Sequence, residues 1–73
     1  MDEMSWQARL ARKNINILHI DDERWYYEFM YHPYTGSTKW CKTFLATHKN
    51  RDPEAVAQDL EREVLKLRKE LEQ

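Results

Sequence analysis

The chain has 73 residues, a formal net charge of −1 and one cysteine, Cys41, which limits it to a single small domain and excludes an internal disulfide. A domain of this size buries only about 60% of its unfolded surface, so its stability depends on good packing. No apolar stretch approaches the roughly 20 residues that span a bilayer, and no signal peptide begins the chain, so we expect a cytoplasmic or nuclear protein without a membrane partner.

Residues 1–13 form an N-terminal segment that favours a short helix. Ser5 is a candidate N-cap residue, and Trp6 and Leu10 are four positions apart, on one face of such a helix. A helix this short is marginal by itself, so it forms only if that face packs on the rest of the chain. A frayed terminus is the alternative.

Residues 14–46 are predicted to form a three-stranded antiparallel sheet. Asn14–Ile20 is a β-branched run long enough for the first strand. Two aromatic runs, Arg24–His32 and Ser37–Ala46, flank the turn sequence Pro33–Gly36 and predict a β-hairpin with a loop of about four residues.

The second predicted strand has one aromatic face and one mixed face. The aromatic face consists of Trp25, Tyr27, Phe29 and Tyr31, and we expect it to be covered. The mixed face should be wetter, and it consists of Tyr26, Glu28, Met30 and His32. On the third strand neither alternating set is cleanly polar, which is compatible with a bulge part-way along it.

A long C-terminal helix is predicted over residues 53–72. Asp52 is a good N-cap, Pro53 suits the first helical position, and Glu54 suits the helix dipole. A helix from 53 to 71 spans about 28 Å, more than a seven-residue strand of about 23 Å. We therefore expect Trp6 and Leu10 to cover the Leu67 and Leu71 end; a second molecule paired through heptads is the alternative.

Together these elements predict an α+β fold. It is a three-stranded meander packed on one long C-terminal helix, in the order βββα, with a short N-terminal helix as an optional addition. The helix must cover one face of the sheet, because a lone sheet of this size cannot bury enough surface. The other face remains open, and the whole chain, residues 1–73, is expected to be one domain.

The charged side chains are unevenly distributed along the chain. Between Phe29 and Arg51 there are four basic residues and no acidic one, whereas the flanking segments are net acidic. A net charge near zero is therefore weak evidence against nucleic-acid binding, because averaging hides the basic stretch.

The open face of the sheet is the candidate binding site. Lys and Arg neutralise phosphates, flat side chains contact sugars or bases, and a narrow sheet can enter a major groove. We expect duplex DNA as the partner, bound by the sheet and by two basic residues just before the first strand. The candidate residues are Arg24, Tyr26, His32, Lys39, Trp40, Lys42, Arg12 and Lys13.

Residues Tyr26–Leu60, about half of the chain, contain a strand, a P-x-T-G turn, an aromatic and basic strand, and a helix that begins with DPEAVA. This order resembles the three-stranded DNA-binding domains of APETALA-type (ethylene-response) factors and the N-terminal arm-binding domains of phage and transposon tyrosine integrases. The resemblance implies a sheet in the major groove with a helix behind it, and a phage or mobile-element role. Contacts from the sheet would then come from Tyr26, His32, Lys39, Trp40 and Lys42.

A protein-interaction module is the alternative from a different class. Acidic residues at 21–23 and Glu28 lie near the proposed surface and would repel phosphate. Such a regulator or inhibitor would bind through its aromatic sheet face or pair through its helix, as a monomer or weak homodimer. Paired catalytic carboxylates, a phosphate loop and a triad are not recognisable, so neither an enzyme nor a cofactor is expected. The three His residues share no ligand spacing, so no metal is expected either.

Overall fold

A computed structural model describes residues 5–73; residues 1–4 of the predicted N-terminal segment lie outside the described residues. The strands form one antiparallel sheet in the order β1-β2-β3, with α1 before it and α2 after it. The predicted α+β arrangement is confirmed. The elements are α1 Trp6–Arg12, β1 Ile15–Ile20, β2 Arg24–Tyr31, β3 Lys39–Ala46 and α2 Pro53–Leu71.

The short helix α1 forms because one of its faces packs on the sheet. The Ser5 hydroxyl accepts a hydrogen bond from the Ala8 N–H over 3.3 Å, which caps the first turn. Leu10 is buried in the core, and the ring of Trp6 lies 4.8 Å from that of Trp25. The tertiary contacts therefore stabilise a helix that is too short to be stable alone.

The connection between β2 and β3 is residues 32–38, longer than the predicted loop of about four residues. Gly36 has a φ of 91°, and its N–H donates to the Pro33 carbonyl over 2.8 Å, so the turn lies where the sequence predicts it. Just beyond β2, the His32 N–H donates to the carboxylate of Glu72, the residue that follows α2, over 2.8 Å.

The irregularity in the sheet lies in β1, so the bulge considered for the third strand is corrected. β2 and β3 pair without a break from Arg24 opposite Ala46 onward. In β1 the register shifts between Ile17 and His19, and afterwards Ile20 pairs with Trp25. The shift follows side-chain polarity, since it directs an isoleucine rather than a histidine towards the covered face.

α2 lies across one face of the sheet and forms the core with it. Asp52 caps the helix and Pro53 occupies its first turn, as predicted. On the sheet side the fully buried rings are Tyr27 and Phe29, so the aromatic face is the covered one. The buried side chains of α2 are Val56, Ala57, Leu60 and Val64. In residues 5–73 no helix is long and apolar enough to cross a membrane.

Trp6 does not cover the C-terminal end of α2, which corrects the expected packing. It packs on the ring of Trp25 and lines a depression with Pro53 and Val56 at the start of α2, where the Arg9 guanidinium also binds Glu54 over 3.1 Å. Leu71 remains 37% exposed.

Trp6 does not reach the C-terminal end of α2. Polar contacts hold this end of the helix instead. The Arg68 guanidinium donates to the Met30 carbonyl over 2.9 Å and to the Lys13 carbonyl over 2.7 Å. The first bond reaches the end of β2 and the second reaches the residue that caps α1. Arg68 therefore joins three elements, and we call these two bonds the Arg68 clasp.

Candidate nucleic-acid interface

The face of the sheet opposite α2 is not covered by any element of residues 5–73. Alternation places its side chains out of phase with the buried Tyr27 and Phe29. Trp40 and Phe44 are 50% and 46% exposed. We define the open face as Asn16, His19, Arg24, Tyr26, Glu28, Met30, Trp40, Lys42, Phe44 and Ala46.

Three rings form a row across the open face, one from each strand. The centroid of Tyr26 in the central strand is 5.6 Å from that of His19 and 5.8 Å from that of Phe44. The guanidinium carbon of Arg24 lies over the Phe44 ring, 4.7 Å from its centroid. We call His19, Tyr26 and Phe44 the aromatic row; its outer members are exposed and its centre is half-buried.

Trp40 lies nearer the other end of the same face. It pairs with Met30 of β2, and it lines a surface depression together with Ala11, Asn14 and Asn16. The indole therefore approaches the end of α1 across the central strand. This arrangement extends the exposed aromatic surface beyond the aromatic row.

The open face carries charges of both signs. Lys42 lies opposite Glu28 in the β2–β3 register, so the cation and the carboxylate are neighbours. The Glu28 carboxylate also accepts a hydrogen bond from the Asn16 amide over 3.1 Å. Arg24 is the second cation of this face. The centre of the face is therefore close to neutral.

The acidic turn between β1 and β2 lies at one end of the sheet. The Asp21 carboxylate accepts hydrogen bonds from the backbone N–H groups of Glu23 and Arg24, over 2.9 and 2.7 Å. These two donors lower the pKa of Asp21, because they stabilise its ionised form. The acids of this turn line one depression with Arg24 and Tyr26, so they lie beside the aromatic row at this end of the open face.

Four of the eight predicted binding residues share the open face: Arg24, Tyr26, Trp40 and Lys42. Lys39 pairs with Tyr31 and belongs to the alternating set on the α2 side of the sheet, so it does not share the open face. It is exposed nevertheless, as the first residue of an edge strand. The unbroken β2–β3 register is the reason that Lys39 and Lys42 lie on different sides.

The other three predicted residues lie at the end of the sheet near the hairpin loop. His32 follows β2, and its ring nitrogen Nδ1 lies 3.2 Å from the Thr38 hydroxyl. The Lys13 ammonium lies 3.5 Å from the Glu61 carboxylate of α2, on the covered side of the sheet. Arg12 is the exposed last residue of α1.

Six residues of the open face are not among the predicted binding residues, and the rings of Phe44 and His19 are two of them. Phe44 was detectable, because it continues the alternation of Trp40 and Lys42. His19 was not, because its side of the sheet depends on the register shift in β1.

The described chain contains no group of three His, Cys, Asp or Glu side chains that could hold a metal ion. The chain matched no protein-family model, no curated protein and no solved structure. The resemblance to APETALA-type and integrase domains therefore stays a prediction.

Proposed function

We propose that this protein is a small DNA-binding module that uses the open face of its sheet. The observation that supports the proposal is the meeting of exposed rings with cations on one uncovered surface. Trp40 and Phe44 are half exposed there, and Lys42 lies between them along β3. Rings and cations together provide contacts to bases and to phosphates.

The number of available cations sets the expected strength of binding. Arg24 and Lys42 belong to the open face, and Lys39 and Arg12 are exposed near its end. Two to four neutralised phosphates give a slope of log K against log salt of about −2 to −4. Affinity should therefore be modest, about 10⁻⁴ to 10⁻⁶ M near physiological salt.

A charge-reversal pair with a matched control tests this proposal. Lys39→Glu with Lys42→Glu changes β3, whereas Lys66→Glu with Lys69→Glu makes the same charge change on the exposed side of α2. At about 0.15 M salt the screening length is about 8 Å, so the distant pair has little effect on the open face. Fluorescence anisotropy with labelled DNA should show at least a tenfold loss for the first pair and less than a twofold loss for the second.

Equal losses in both double variants would contradict a site on the open face. Affinity that does not fall with salt would contradict phosphate contacts altogether. Circular dichroism of each variant checks that the fold is retained, which we expect because all four lysines are exposed.

A protein partner on the same face is the second candidate function. Glu28 favours it, because a carboxylate in the centre of the face repels phosphate but can pair with a basic group of a protein. With a second copy of the chain as the partner, sedimentation velocity should show an association that Phe44→Glu abolishes. If the protein stays monomeric at high concentration and binds DNA, DNA binding is favoured over self-association.

A further inference from the structure

We infer that the open face binds single-stranded nucleic acid in preference to a duplex, with unpaired bases stacked on its rings. This inference rests on the proposed nucleic-acid function and departs from the duplex expected from the sequence. The juxtaposition that supports it is the aromatic row, Trp40 nearby, and the small number of cations around them.

The exposure of the rings suits stacking. Trp40 and Phe44 are 50% and 46% exposed, and the Arg24 guanidinium over the Phe44 ring is a further flat group on which a base can stack. Bases stack on aromatic rings whatever their sequence, because every base has a π-face. In a duplex these faces are occupied by neighbouring base pairs, so only an unpaired base can use the rings.

The open face has only two cations, Arg24 and Lys42, next to the Glu28 carboxylate and the acidic turn, which is too few for tight duplex binding. Arg24 lies over Phe44 and can stack as well as bind phosphate, and Lys42 lies on the same strand as Phe44. Two or three phosphate contacts to a single strand give a salt slope of about −1.4 to −2.1. Proteins that depend on the duplex backbone make about 6 to 10 such contacts.

Glu28 is compatible with unpaired bases although it opposes phosphate. Its carboxylate lies in the centre of the face and accepts a hydrogen bond from Asn16. A carboxylate is an acceptor for the amino groups of bases, cytosine N4 among them. Glu28 can therefore accept hydrogen bonds from base edges, while Arg24 and Lys42 remain available for the phosphates of the nucleic acid.

The test compares a labelled 12-nucleotide DNA strand of alternating cytidine and thymidine with the duplex of the same strand and its complement. We expect at least fivefold tighter binding of the single strand at 0.1 M salt, with quenching of tryptophan fluorescence. Phe44→Leu and Trp40→Leu should each weaken it about tenfold. Tyr34→Leu is the matched control, because Tyr34 is 88% exposed in the hairpin loop outside the open face.

The outcomes separate this inference from the proposed function. Tighter binding of the duplex overturns the preference for a single strand and leaves the DNA-binding proposal standing. Failure of both probes to bind overturns the proposed function and the inference with it. An equal loss of affinity in Tyr34→Leu, or no loss in Phe44→Leu, would show that the single DNA strand does not bind on these rings.

Discussion

The two faces of the sheet are both rich in aromatic side chains, yet only one of them is buried. Tyr27 and Phe29 on the covered face are 0% exposed, whereas Trp40 and Phe44 on the open face are about half exposed. Charge distinguishes the faces, since the open face of β2 contains Glu28 and the β2 side chains beneath α2 contain no charge. Burial of an unpaired charge is costly, so α2 packs on the uncharged face.

This difference separates stability from binding. The covered face supplies the core that a small domain needs, and the open face contributes little to that core. Substitutions on the covered face should therefore change the free energy of unfolding, and substitutions on the open face should change binding.

Phe29→Ala and Phe44→Ala make the same chemical change on opposite faces. Phe29 is fully buried, so its truncation leaves a cavity and should cost about 3 to 5 kcal/mol, enough to unfold most of a marginally stable domain. Phe44 is 46% exposed, and its loss should cost less than about 1 kcal/mol. Urea denaturation followed by circular dichroism measures both, and similar costs would refute the separation of the faces.

Arg68→Ala removes the Arg68 clasp, which holds α2 against the covered face. The guanidinium donates to two backbone carbonyls, Lys13 over 2.7 Å and Met30 over 2.9 Å. Because the site is partly exposed, we expect a loss of about 1 to 2 kcal/mol in the free energy of unfolding. Lys69, the neighbouring exposed cation, provides the control. Lys69→Ala should change the free energy of unfolding by less than about 0.5 kcal/mol. Equal effects would mean that the clasp contributes nothing.

Tyr27→Phe should stabilise the protein, which is the opposite sign from Phe29→Ala on the same face. The Tyr27 hydroxyl is buried and has no hydrogen-bond partner among the described residues. Its removal relieves an unsatisfied polar group and should raise the free energy of unfolding by about 1 kcal/mol. Denaturation at pH 7 measures the gain. A loss of stability would show that the hydroxyl has a partner.

The gain from Tyr27→Phe should grow in alkali. Burial raises the pKa of Tyr27 well above its ordinary value of 10.0, so the folded protein holds this phenol neutral. Above pH 10 the unfolded chain ionises while the folded protein does not, and the parent protein therefore loses stability as pH rises. The variant lacks this contribution, so the difference between the two proteins should widen from pH 9.5 to 11.

The sequence specifies the covered face well because its signals are local and redundant. Trp25, Tyr27 and Phe29 alternate without a charge, and Asp52 and Pro53 mark the start of α2 by their own backbone chemistry. All of these signals predict the same arrangement, so misreading one of them would not change the predicted fold.

The open face was harder to predict because it depends on the register of three strands. The shift after Ile17 places His19 on this face, and no residue of β1 marks it in the sequence. Lys39 shows the same difficulty in β3, since its side depends on the absence of a bulge. Trp6 packs on Trp25, a residue distant in the chain, and the sequence does not mark this contact.

The smallest predicted effects are the titrations of two carboxylates, Asp21 beside the open face and Asp59 on α2. Hydrogen bonds from backbone N–H groups are the main cause of the lowered pKa of Asp21. The Arg51 side chain, 2.7 Å away, is the main cause of the lowered pKa of Asp59. Both groups should titrate below their ordinary value of 3.8 in an NMR pH series.

Arg51→Gln distinguishes the two causes. It should move the midpoint of Asp59 back towards 3.8 and leave that of Asp21 unchanged, since backbone donors are not removed by a side-chain change. Because both pKa values are lowered in the folded state, both carboxylates stabilise the protein above pH 3.8 and lose that contribution as pH falls through their folded pKa. A shift of Asp21 in the variant would mean that the acidic turn and α2 respond to one another, and the two sides of the sheet would then not be independent.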